Sequence, residues 1–89
     1  MLTDTITIIN KRGLHARAAA KLATTAAQFS SRTQARTGSS WVDAKSVMSL
    51  MLLAATQGTN LEVSAEGDDE TQAMQAIKSL IEDRFEEDE

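Results

Sequence analysis

Cysteine is absent from this 89-residue chain, which excludes disulfides and thiolate metal sites. There is no glycine-rich phosphate loop, no cluster of metal-ligating side chains and no Ser-His-Asp set, so neither a metal nor a cofactor is expected. Long apolar runs are missing too. The longest, Leu50 to Ala55, cannot span a bilayer, and no membrane association is expected. The start, Met1-Leu2-Thr3-Asp4, lacks the basic region and long apolar run of a signal peptide, so a cytoplasmic location is expected. An excess of positive charge is lacking as well. The net charge of −4 argues against general nucleic-acid binding.

What is present suffices for one folded domain over residues 1–89, with 42% hydrophobic residues. Leu2 to Ile9 alternates apolar and polar with high β propensity, placing Leu2, Ile6 and Ile8 on one face. Asn10-Lys11-Arg12-Gly13 is turn chemistry. Ala16 to Phe29 carries Ala19, Leu22, Ala23, Ala26 and Phe29 at helical spacing, and such small side chains let a helix lie close to what it covers. Ser30 to Thr37 reads as a strand, Gly38-Ser39-Ser40 as a turn and Trp41-Val42 as its short return. A second helix is predicted from Val47 to about Thr56, stopped by Gly58. Asn60 to Glu66 alternates cleanly as a strand. Gly67-Asp68-Asp69 is a turn, with Asp69 placed to cap a last helix from Thr71 to about Phe85. Its apolar stripe is Ala73, Met74, Ile77, Leu80 and Ile81, and residues 86–89, all acidic, are expected to fray. The order β-α-β-β-α-β-α, with one wet and one buried sheet face, implies an α+β sandwich with three helices on one face of an antiparallel sheet.

His15, the single histidine, falls where the first strand gives way to the first helix. The unpaired N–H groups there, those of Ala16 and Arg17, and the helix dipole favour an anion. A neutral imidazole so placed can attack a phosphoryl group. The ring is expected to stand open to solvent and clear of the acidic tail. Arg17 can fold back to a phosphate at the helix entry, where the chain is not yet regular. Ser46 precedes an apolar helix and reads as its N-cap, where a phosphate would also be tolerated. The second helix is too short to bury all of Val47, Met48, Leu50, Met51, Leu52 and Leu53, and exposed methionine suits an adaptable docking surface.

Charge is unevenly spread. Between Lys11 and Leu61 lie Lys11, Arg12, Arg17, Lys21, Arg32, Arg36 and Lys45, with Asp43 the only acid. If several share a face, His15 sits in a positive field that steers anions or an acidic protein. With one histidine and no nucleotide cradle, the chain reads as a reactant passed between enzymes, not as an enzyme.

Gly13-Leu14-His15-Ala16-Arg17-Ala18-Ala19 and Lys45-Ser46-Val47-Met48-Ser49-Leu50-Met51, at this separation, resemble the HPr/NPr family, the histidine-containing phosphocarriers of the bacterial phosphoenolpyruvate-dependent phosphotransferase system. The resemblance covers essentially the whole chain. It implies an open-faced β-sandwich with a four-stranded antiparallel sheet and three helices. It implies that His15 takes a phosphoryl group on Nδ1 from phosphorylated enzyme I and hands it to an EIIA-type protein. Arg17 would assist the phosphoryl group, and Ser46 would be the site of a dedicated kinase/phosphorylase. Arg12, Ala20, Thr24, Val47, Met48, Met51 and Leu52 would fall on the docking face, on a monomer. Within the family, a nitrogen-related paralogue would keep the same histidine and fold but use other partners. An acyl carrier would need an almost wholly helical chain, against the alternation at Thr3–Ile9 and Leu61–Ala65. A non-catalytic regulatory module of the same fold would have no need of the His15–Arg17 pair. One departure is Ala18, where the family motif has proline; alanine loosens the unfolded-state constraint by roughly 0.4–1 kcal/mol and leaves His15 and Arg17 in place.

Overall fold

The computed structural model describes residues 1–38 and 40–87. Its elements are β1 (Leu2–Thr7), α1 (Ala16–Ala27), β2 (Arg32–Arg36), β3 (Val42–Asp43), α2 (Val47–Leu52), β4 (Asn60–Glu66), α3 (Glu70–Glu82) and a single 3-10 turn (Arg84–Glu86). The four strands form one antiparallel sheet in the order β1-β4-β2-β3. Three helices pack with it, as the alternation of the strands requires. The turn expected at Gly38-Ser39-Ser40 falls partly outside the described residues at Ser39, as do Asp88 and Glu89 of the expected frayed tail.

Register decides which strand residues are buried. Ile6 stands opposite Leu61, Val63 opposite Ala35 and Ala65 opposite Thr33, so these share the inner face. All six are buried. Leu2 lies on the same face but at its open corner and stays partly exposed. Ala18, Ala19, Leu22, Ala23 and Ala26 form the buried stripe of α1, and Ala73, Met74, Ile77 and Ile81 that of α3. Leu80 packs only partly against the core. Among the described residues no helix is long and apolar enough to cross a membrane.

Beyond shifts of one or two residues at the ends of β1, α1, β2 and β3 and at the start of α3, four details differ from the sequence expectation. The second helix ends at Leu52, short of Thr56, and Gly58 does not stop it: Ala54 turns left-handed (φ 52°) and sends the chain back. The reason is a tertiary bond, in which the Ala55 carbonyl accepts from the Leu14 N–H at 2.8 Å. Asp69 occupies the N-cap position of α3 but does not cap it. Its carboxylate instead accepts from the N–H groups of Ser30 and Ser31, each at 2.9 Å, and from both hydroxyls, tying the end of α1 to the start of α3. α3 ends at Glu82, before Phe85, because Arg84, Phe85 and Glu86 adopt left-handed backbone. Glu86 and Glu87, expected to fray, are held by that turn and by the contacts described below.

Candidate functional site

The loop from Asn10 to His15 is fixed by backbone geometry before any side chain is considered. Gly13 has φ +67°, and a Cβ on it would stand 2.5 Å from the Ala55 carbonyl oxygen. Only glycine allows that approach without displacement. The Leu14 N–H to Ala55 bond follows at once, with Leu14 buried beneath the loop. Asn10, fully buried, donates from Nδ2 to the Gly13 carbonyl at 2.8 Å. The strand end and the second helix thus hold the loop from both sides, and His15 follows as the N-cap residue of α1.

His15 is extended (φ −77°, ψ −179°), and its carbonyl accepts from the Ala19 N–H at 2.8 Å. Its side chain does not cap the helix, and among the described residues no other side chain does. The first-turn N–H groups, including those of the exposed Ala16 and Arg17, therefore remain available to an anion beside the ring. α1 has no acidic residue in its first turn to occupy that place.

The ring is not open to solvent. Its side chain is 18% exposed, and Nε2 is hydrogen-bonded to the Glu87 carboxylate. The tail expected to stay clear of the ring is bound to it. The second Glu87 oxygen accepts from Asn10 Nδ2 at 3.0 Å, so Asn10 bridges the loop and the tail. Burial works to raise the Glu87 pKa. Hydrogen bonds from His15 and Asn10, with the charges of His15 and Arg12, outweigh it and hold the carboxyl below its usual range.

The tail reaches the ring through a strained turn. Three consecutive non-glycine residues in left-handed backbone (φ 56°, 54° and 64°) cost ~1–2 kcal/mol each. Full burial of Phe85 stabilises by ~1.5–3 kcal/mol. The Lys21 ammonium, donating to the Phe85 carbonyl at 2.8 Å, contributes about as much again. The two sides nearly cancel, so the turn persists because Phe85 and Lys21 hold it.

The other expected residues are exposed or half-buried. Arg17 is exposed and shares a shallow depression with Ala20, Lys21, Thr24 and Glu86. Among the described residues it makes no hydrogen bond with the ring. Met48 (71%) and Leu52 (80%) are the most exposed apolar residues of α2, Met51 is also exposed, Val47 is half-buried and Leu50 is buried. Arg12 is exposed on the approach loop. Ser46 caps α2, its Oγ accepting from the Ser49 N–H at 3.3 Å.

Part of the expected positive charge is engaged within the chain. Arg36 pairs with Glu62 at 3.1 Å and stacks on Trp41, Lys45 donates to the Phe29 carbonyl at 2.9 Å, and Lys21 lies 3.9 Å from Glu86. Asn10 and Glu87 are the two site residues that sequence reasoning did not single out. Asn10 read as turn chemistry, and Glu87 as one of a run of like charges. The available signal was Phe85, a large apolar residue set just inside that run.

Comparison with known proteins gives the family and the fold. A family model described as "PTS HPr component phosphorylation site" matches residues 2–83, ending before the left-handed turn. The phosphocarrier protein HPr of Xylella fastidiosa is 52% identical over 88 residues, 99% of each chain. A crystal structure of HPr from Thermoanaerobacter tengcongensis superposes with a TM-score of 0.95 at 46% identity, covering both chains completely. An HPr dimer from the same organism gives 0.78 at 47% identity over 98% of this chain and 100% of that one.

Proposed function

This chain belongs to the HPr family of phosphotransferase-system phosphocarriers, and on that premise we propose that His15 is the residue that carries the phosphoryl group. The protein is a carrier, not an enzyme. The observation that bears most weight is the position of His15 at the head of α1, beside N–H groups that no side chain among the described residues caps. The neutral ring attacks phosphorus through the Nδ1 lone pair while the donor's bond to phosphorus breaks and its electron pair leaves with the donor. Such a transfer depends on positioning and charge stabilisation more than on covalent machinery. The Ala16 and Arg17 N–H groups and the helix dipole supply a fixed part of that stabilisation. Arg17, exposed on the first turn of α1, adds a charge-assisted contact once the phosphoryl group arrives.

The donor is phosphorylated enzyme I and the acceptor an EIIA-type protein, meeting the same cytoplasmic carrier in turn. Met48, Met51 and Leu52 give an apolar patch beside the ring's helix, with Arg12, Ala20, Thr24 and Val47 around it. Ser46 is a regulatory phosphosite for a kinase/phosphorylase: a phosphate at this helix start keeps the helix and reverses the local charge. The carrier acts as a monomer; elution as a dimer at working concentration would overturn that.

The test is incubation with phosphoenolpyruvate and enzyme I. The parent should gain acid-labile phosphate and His15→Ala none. Label persisting in His15→Ala refutes the assignment.

A further inference from the structure

Glu87 lies beyond residues 2–83, the stretch matched by the family model, and it makes the closest polar contact to the ring among the described residues. A carboxylate accepts hydrogen bonds and cannot donate them, so the nitrogen facing it must carry the proton. Here that nitrogen is Nε2. The lone pair of the neutral ring then resides on Nδ1. Asn10 holds the second carboxylate oxygen, and Phe85 and Lys21 hold the backbone that delivers it. Carboxylate, buried amide and apolar anchor form an assembly, and an orienting acceptor of this kind fixes the tautomer of a functional histidine elsewhere.

We propose that Glu87 is the positioning residue for phosphoryl transfer, fixing the His15 ring as its Nε2–H tautomer so that Nδ1 is the nucleophile. The inference rests on His15 being the phosphoryl acceptor. In the step it serves, the Nδ1 lone pair forms the P–N bond and the donor's bond to phosphorus breaks with its electrons. No proton moves. The ring becomes a phosphoimidazolium that still carries the Nε2 proton, and the Glu87 carboxylate lies against the positive charge thus created. Transfer onward reverses this: the P–N bond breaks, its electron pair returns to Nδ1, and the neutral Nε2–H ring is restored. The contact also obstructs the wrong nitrogen, since Nε2 cannot meet phosphorus while Glu87 occupies it. Its cost is a negative charge near the incoming phosphoryl group, which the Ala16 and Arg17 amides oppose from the helix side.

The experiment is nitrogen-15 NMR of ring-labelled His15 in the intact protein, above the titration of the ring, paired with single-turnover phosphorylation by phosphorylated enzyme I. The parent should show the Nε2–H tautomer almost alone. Glu87→Ala should give a mixture of tautomers and slow acceptance about tenfold, the low end of what losing an orienting partner costs a functional histidine. That loss should appear in the rate at saturating donor rather than in the concentration dependence, which separates positioning from docking. Glu87→Gln keeps an acceptor oxygen and should restore the parent tautomer. A parent ring protonated on Nδ1 overturns the proposal, as does a Glu87→Ala variant unchanged in tautomer or in saturating rate. The tautomer readout needs no phosphotransfer, so it stands even if His15→Ala shows that another residue takes the label.

Discussion

Gly13→Ala tests the claim that the site is built from backbone outward. The added Cβ would stand 2.5 Å from the Ala55 oxygen and 2.9 Å from Thr56 Cα, both backbone atoms that cannot rotate away. The φ of +67° adds ~1–2 kcal/mol for a residue with a side chain. Relieving the overlap means displacing the Leu14 to Ala55 bond, now 2.8 Å, and forced overpacking costs a further ~1–3 kcal/mol. The total of about 2–5 kcal/mol corresponds to a Tm drop on the order of 10–30 °C for a domain of this size. Gly58→Ala is the control, because Gly58 is also left-handed (φ +90°) but a Cβ there meets nothing within 4 Å. It should incur only the conformational part. Thermal and urea unfolding, followed by circular dichroism and by fluorescence of the single Trp41, measures both. Gly13→Ala should also accept phosphate more slowly at a temperature where it remains folded, since a 1 Å misplacement can cost about 100-fold. If the two variants unfold within ~0.5 kcal/mol of each other, the packing of the loop on Ala55 does not position His15 as argued.

Other outcomes follow from the same geometry. The Ser31 hydroxyl, then the Ser30 N–H, hold the Asp69 carboxyl at about 2, below its ordinary 3.8. Its folded pKa is depressed, so its contribution is complete above about pH 4 and fades as pH falls toward 2; Asp69→Asn should lower Tm at neutral pH and flatten that acid limb, and parallel profiles for parent and variant would refute the bridge. Arg17→Ala should fold normally and transfer slowly; unchanged rates would remove Arg17 from the chemistry. Ser46→Ala should cost ~0.5–1 kcal/mol for the lost cap, whereas Ser46→Asp should keep the fold and weaken enzyme I binding, and equal affinity would defeat the regulatory reading. Met48→Ser and Leu52→Ser should leave stability within about 0.5 kcal/mol, as exposed substitutions do, while weakening partner binding measured by calorimetry.

Most of the fold could be read from local pattern. β4 follows its alternation from Asn60 to Glu66, and α1 starts at Ala16 as its spacing requires. What escaped was decided by distant contacts. Nothing near Leu53 announces that the chain must turn back to meet Leu14, and Asp69 looks like a cap until Ser30 and Ser31 fold against it. The histidine, its arginine and the helix start were legible because their chemistry is adjacent in sequence. Asn10 and Glu87 were not, because 77 positions separate the two halves of that hydrogen bond.

The left-handed turn at the end of the chain acts as a ruler. Phe85 sets its zero and Glu87 its reading, two residues on. Insert or delete a single residue between them and the buried ring can still seat, but the carboxylate swings to another azimuth and loses the imidazole. Drift in side-chain identity along this stretch is therefore a gentler change than drift in its length.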